Sequence, residues 1–128
     1  MSAADKRLNL LVVDDSVMMR AMLKRAAALS HVPLGTVFEA ANGEEALALM
    51  NANHIDALFT DINMPVMTGI ELLKAMDTDE RWRDVVRVII SSDGSTLNKE
   101  QAGLLSTWRY VEKPFKPEAI RDVLAALL

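Results

Sequence analysis

The sequence predicts an α/β fold in which a doubly wound parallel sheet of five strands alternates with helices, a (βα)5 arrangement. Three observations carry that prediction. Short apolar runs alternate with longer helical patterns along the chain. Three of those runs are continuously apolar, as strands covered on both faces must be. Acids or a lysine stand just past several runs, where the carboxyl ends of parallel strands open onto a ligand crevice. The 128 residues suit one domain with one core. Residues 1–128 are therefore expected to be a single domain with no output domain after it.

The first strand spans 8–13, contains Leu10-Leu11-Val12-Val13 and ends at Asp14 and Asp15. Either acid could cap the helix over 16–29. In that helix Met18, Met19 and Met22 read as packing residues. The second strand, 36–40, alternates in polarity like an edge strand. Asn42 then N-caps a helix over 43–52, with Glu44 and Glu45 complementing its dipole. The third strand, 56–60, carries Ala57-Leu58-Phe59-Thr60 and ends at Asp61. A helix over 68–76 and a charged loop, 77–81, follow it. The fourth strand, 86–91, has the apolar run Val88-Ile89-Ile90 and ends at Ser91. The next helix, 96–106, is expected to be short, shifted or mobile, because Gly94-Ser95-Thr96 is a poor start and Ala102-Gly103 comes early. Leu104, Leu105 and Trp108 read as packing there rather than as a partner surface. Arg109-Tyr110-Val111-Glu112 forms an alternating fifth strand, 109–112, ending at Lys113. Pro117 suits the first turn of the last helix, 117–127, whose core stripe is Ile120, Val123, Leu124 and Leu127.

With continuous runs inside and alternating runs outside, the strand order is 2-1-3-4-5, a flavodoxin-like sheet. That order brings Asp14, Asp15 and Asp61 around one crevice between strands 1 and 3. Lys113 reaches it from strand 5.

Composition narrows the function classes. The chain is 51% apolar and 25% charged, has no cysteine, and carries a net charge of -4. Disulfides and thiolate metal sites are excluded, and generic nucleic-acid binding is disfavoured. No membrane-length apolar segment or secretory leader is visible, so a cytoplasmic location without membrane association is expected. His31 and His54 fall in loops without metal-ligand spacing.

Three crowded carboxylates cannot all stay ionised without a counter-charge. A hard divalent cation with oxygen ligands supplies it, and Mg²⁺ suits that donor set, with Mn²⁺ as a substitute. One aspartate can then attack a phosphoryl group to form an acyl phosphate. The metal and Lys113 would stabilise charge on the transferring oxygens.

Asp14-Asp15, Asp61 with Asn63 and Pro65, Ser91, and Tyr110-Val111-Glu112-Lys113-Pro114-Phe115 together resemble the CheY-like receiver domain of two-component response regulators. The resemblance covers nearly the whole chain and implies a role for each matched position. Asp61 would be the phosphoacceptor. Asp15, Asp61 and the backbone carbonyl of Asn63 would ligate Mg²⁺, with Asp14 acting through water. Lys113 would contact the phosphoryl group, Ser91 would close onto it, and Tyr110 would turn inward as the aromatic switch. Asn63 and Asp93 would tune the lifetime of the phosphorylated state. The Lys113–Pro114 peptide would be cis. Ser92 replaces the alanine usual after the switch hydroxyl.

The resemblance further implies a phosphorylation switch rather than an enzyme in the ordinary sense. Its donor would be a sensor histidine kinase or a histidine phosphotransfer protein. Its downstream target would meet the face formed by the 96–106 helix, the fifth strand and the last helix, with Arg109, Lys116 and Arg121 as contacts. A chemotaxis-type or phosphorelay regulator fits, either monomeric or dimerising on phosphorylation. Two other functions compete. A Mg²⁺-dependent phosphohydrolase would use Asp61 as nucleophile, but it would need a second acid where Asn63 stands. A phosphorylation-independent interaction module would usually have lost an acid or the lysine.

Overall fold

The computed structural model describes residues 7–91 and 109–127. The expected helix over 96–106, with Ser92, Asp93, Leu104, Leu105 and Trp108, lies outside the described residues. Within them the order is β1 (Leu8–Val13), α1 (Val17–Ala28), β2 (Leu34–Ala40), α2 (Gly43–Ala52), β3 (Ala57–Thr60), α3 (Gly69–Asp77), β4 (Val86–Ser91), β5 (Arg109–Glu112) and α4 (Pro117–Ala125). All four strand pairings are parallel, and the order is β2-β1-β3-β4-β5. The predicted order is the observed one.

Alternation along the strands decides which side each residue serves. Leu11, Val13, Leu58 and Ile89 join Leu72, Leu73 and Met76 in a core beneath α2 and α3. Leu10, Val12, Phe59, Val88 and Ile90 join Leu23, Ile120 and Leu124 beneath α1 and α4. β3 is buried along its whole length, whereas β5 reads exposed, half-buried, half-buried, exposed. Position in the sheet thus matches the polarity each strand carries in sequence.

Local signals set the helix ends. Asn42 caps α2, its side-chain oxygen accepting from the Glu45 N–H at 2.9 Å. The helix expected to begin at 16 starts at Val17, because Ser16 is the cap and accepts from the Met19 N–H. Neither Asp14 nor Asp15 is spent on that cap. Thr68 and Glu71 form a reciprocal capping box on α3, a Thr-x-x-Glu signal that stands openly in the sequence. The charged loop after α3 contains a single 3-10 turn, Glu80–Trp82.

Two details depart from the sequence reading. Met19 packs against the core, but Met18 and Met22 are 74% and 46% exposed and are not buried packing residues. The spacing that marked them as packing is real, yet no second layer covers that side of α1 among the described residues. In β4, buried Arg87 interrupts the apolar row. Its guanidinium pairs with Asp77 at the end of α3 and donates to the Trp82 carbonyl at 3.1 Å. Burying an arginine in a central strand is tolerable only because those partners offset its lost hydration.

Candidate functional site

Each candidate side chain is held by backbone that the sheet itself fixes. The Asp61 N–H donates to the Val13 carbonyl at 2.9 Å, and the Asp14 N–H donates to the Ala40 carbonyl at 3.1 Å. These bonds carry the strand ladder one residue past the strand ends. Asp14 and Asp61 are thereby fixed side by side. The Lys113 N–H donates to the Ser91 carbonyl at 2.9 Å, which registers the lysine against the end of β4. The Lys113–Pro114 peptide is cis, as the resemblance implied.

The predicted constellation assembles. Lys113 Nζ donates to Asp14 Oδ2 at 2.8 Å and to Asp61 Oδ2 at 3.2 Å. One ligand atom each from Asp14, Asp15 and Asp61 lies within 4.8 Å of the others. Asp14 is buried and Asp15 is exposed, so adjacent acids meet different surroundings. Asp14 Oδ1 also accepts from the Ser16 N–H, and its carbonyl accepts from Arg20 Nη1 at 2.7 Å. Asp61 Oδ1 accepts from the Ile62 N–H at 2.7 Å. Asn63 is exposed in the loop after β3, Ser91 is buried at the end of β4, and Tyr110 is half-buried against the core beneath α2 and α3.

Burial lifts the Asp61 carboxyl above the ordinary aspartate range, despite the opposing pull of the Lys113 ammonium. Burial also disfavours the charged form of Lys113, but its bonds to Asp14 and Asp61 outweigh that and raise its pKa. Among the described residues one ammonium bonds two of the three clustered carboxylates, so the fully ionised cluster carries two negative charges more than Lys113 answers. A divalent cation matches that excess. The donors are hard oxygens, which is the chemistry Mg²⁺ accepts. Asp14, Asp15 and Asp61 could hold it, and a bound ion would favour ionised Asp61.

Several supporting residues were not singled out in the sequence. The Gly69 N–H donates to the Ile62 carbonyl at 2.9 Å, and a Cβ at Gly69 would collide with the Asp61 carbonyl oxygen. Only glycine lets α3 approach the loop that carries Asp61 so closely. The glycine is visible in sequence, but that approach is not. Val66 has φ of 68°, and the Met67 N–H donates to the Pro65 carbonyl across it, making a γ-turn of the rarer hand. A β-branched residue is strained in that region. Arg20 had a weak signal, being a cation one turn into the helix that follows two acids.

A family model described as the response regulator receiver domain matches residues 10–125. The Helicobacter pylori protein named chemotaxis protein CheY1 is 34% identical over 122 residues, covering 94% of this chain and 97% of its own. The Pseudomonas aeruginosa chemotaxis protein CheY is 31% identical over 115 residues, covering 90% of this chain and 91% of its own. Among solved structures, the Vibrio cholerae chemotaxis protein CheY4 superposes with a TM-score of 0.85 at 29% identity. That match covers 96% of this chain and 100% of the other.

Proposed function

The chain belongs to the response regulator receiver domain family and is a phosphorylation-activated signalling switch of that kind; we propose that Asp61 is its phosphoacceptor. The observation that carries this assignment is the pair of hydrogen bonds that Lys113 Nζ donates to Asp14 and Asp61 inside a three-acid cluster. An Asp61 carboxylate oxygen attacks the phosphorus of a phosphohistidine, and the N–P bond breaks with its electron pair returning to the donor imidazole. Lys113 leaves its bond to Asp61 free to follow the new charge. The buried Ser91 hydroxyl is the group that closes onto the phosphoryl oxygens. Asp15, Asp61 and the Asn63 carbonyl would hold Mg²⁺ directly and Asp14 through water, and the ion would supply charge stabilisation for the transferring oxygens. Asn63 governs how readily water reaches the acyl phosphate.

The donor is a histidine kinase or histidine phosphotransfer protein. The curated relatives named as chemotaxis proteins support a chemotaxis-type regulator. Closure of Ser91 draws Tyr110 inward and changes the affinity of the β5 and α4 face for a target protein. A local charge thus biases a two-state element. Reversing a 1:99 population requires about 5.5 kcal/mol of differential stabilisation.

Incubation with acetyl phosphate and Mg²⁺, followed by intact-protein mass spectrometry, tests the assignment. One added phosphoryl group is expected, and both chelator and Asp61→Asn should abolish it. Labelling that survives Asp61→Asn would place the phosphoacceptor elsewhere.

A further inference from the structure

Thr60 places a hydroxyl in an apolar setting. It ends β3 at only 1% exposure, and its in-register neighbours, Val13 on β1 and Ile89 on β4, are both fully buried. A valine would fill that place with the same shape and bring no polar atom to satisfy. Among the described residues the hydroxyl makes one hydrogen bond, to the carbonyl of the next residue, Asp61, at 2.8 Å.

That carbonyl belongs to the peptide joining Asp61 to Ile62, and the other end of the same peptide acts on the reactive carboxylate. The Ile62 N–H donates to Asp61 Oδ1 at 2.7 Å. Gly69 braces the arrangement. It packs against the Asp61 carbonyl oxygen too closely to admit a Cβ, and its N–H holds the Ile62 carbonyl at 2.9 Å. Donation by Thr60 to the carbonyl polarises the peptide and makes its N–H a stronger donor. The two carboxylate oxygens are therefore unlike. Oδ1 is held by braced backbone, whereas Oδ2 meets the Lys113 ammonium at 3.2 Å, at the tip of a flexible stem.

We propose that Thr60 is a positioning residue for phosphoryl transfer, a role that rests on Asp61 being the phosphoacceptor. Its hydroxyl sets the Asp61–Ile62 peptide so that the Ile62 N–H fixes Oδ1 and leaves Oδ2 to attack. The Oδ2–P bond forms as the donor's bond to phosphorus breaks, and the electron pair of that bond leaves with the donor. Thr60 touches neither phosphorus nor donor and acts through the peptide that aims the nucleophile. Small errors of aim are costly in such a displacement. A threonine that merely satisfied its own hydroxyl on the nearest carbonyl would leave the chemistry indifferent to its loss.

Two substitutions separate these roles. Thr60→Val keeps the shape and removes the donor, while Thr60→Ser keeps the donor and removes a methyl group. Each variant is labelled with acetyl phosphate and Mg²⁺ well below its thermal midpoint, and the rate is followed by intact-protein mass. The Ile62 amide proton is read by NMR in the unlabelled, metal-free chain. Thr60→Val is expected to slow labelling about tenfold, the worth of one hydrogen bond, and to move the Ile62 amide proton upfield. Thr60→Ser should restore most of both. Labelling of Thr60→Val at the wild-type rate would overturn the positioning role and leave the phosphoacceptor in place. So would a slowed rate with the Ile62 proton unmoved, or a serine variant that behaves like the valine one. Label that survives Asp61→Asn would overturn both assignments together.

Discussion

Asp61 and Asp56 lie at opposite ends of the same short strand and meet opposite fates. Asp56, at the amino end of β3, is consumed by structure. Its carboxylate accepts from the Asn9 N–H at 2.8 Å and contacts His54 Nε2 at 3.0 Å. Its own N–H donates to the Asn9 carbonyl at 2.8 Å, and its carbonyl accepts from the Val86 N–H at 3.0 Å. Asn9 meanwhile bonds the His54 carbonyl and the Thr36 N–H. One polar clasp thus ties together the amino ends of β1, β2, β3 and β4. Asp61, at the carboxyl end, shares one ammonium with a second acid, and burial raises its pKa. A satisfied acid stabilises a fold, whereas an acid left with capacity can bind and react.

The sharpest way to break the comparison is to neutralise each acid in turn. Asp61→Asn should abolish labelling by acetyl phosphate yet leave the thermal midpoint equal or higher, because it removes one of three crowded like charges. A lowered midpoint would mean that Asp61 is structural after all. Asp56→Ala should do the reverse. It strands the Asn9 N–H and should cost about 2–3 kcal/mol in denaturant unfolding, with labelling retained.

Smaller effects probe what supports the reactive end. Gly69→Ala forces a methyl group against the Asp61 carbonyl and should cost about 1–3 kcal/mol while slowing the labelling rate. An unchanged rate would show that the loop relaxes freely. Val66→Gly should stabilise the protein by about 1 kcal/mol, since it relieves a β-branched residue at φ of 68°.

The smallest effect is electrostatic. The Lys24 bond holds the Glu39 carboxyl below its ordinary value of 4.5, against a smaller opposing effect of burial and with help from Arg20. A lowered folded pKa contributes stability above the unfolded value, and that stability is lost as pH falls through the folded one. The stability difference between the wild type and Lys24→Ala should therefore be present at neutral pH and vanish in acid. The pair is well exposed, so the difference should stay below about 0.5 kcal/mol. A difference that persists in acid would remove the ion pair as its cause.

Much of the reactive end was legible in the sequence because strand ends announce themselves. Leu10-Leu11-Val12-Val13 and Ala57-Leu58-Phe59-Thr60 stop at acids, and continuous against alternating polarity sets the strand order. The clasp at the other end was not legible. Asn9 and Asp56 are 47 residues apart, and nothing in either neighbourhood announces the other. His54 read as a bare loop residue for the same reason.

By itself, then, the sequence determined the strand order, the faces of the strands and the convergence of Asp14, Asp15, Asp61 and Lys113 on one crevice. These rest on periods of two and 3.6 residues and on what stands just past each period. Tertiary structure alone decided that Asp14 is buried while Asp15 is exposed, that Arg87 finds Asp77, and that Met18 and Met22 face outward on α1. A period says which residues share a face. Whether that face is covered, and by what charge, depends on contacts between segments far apart in the chain.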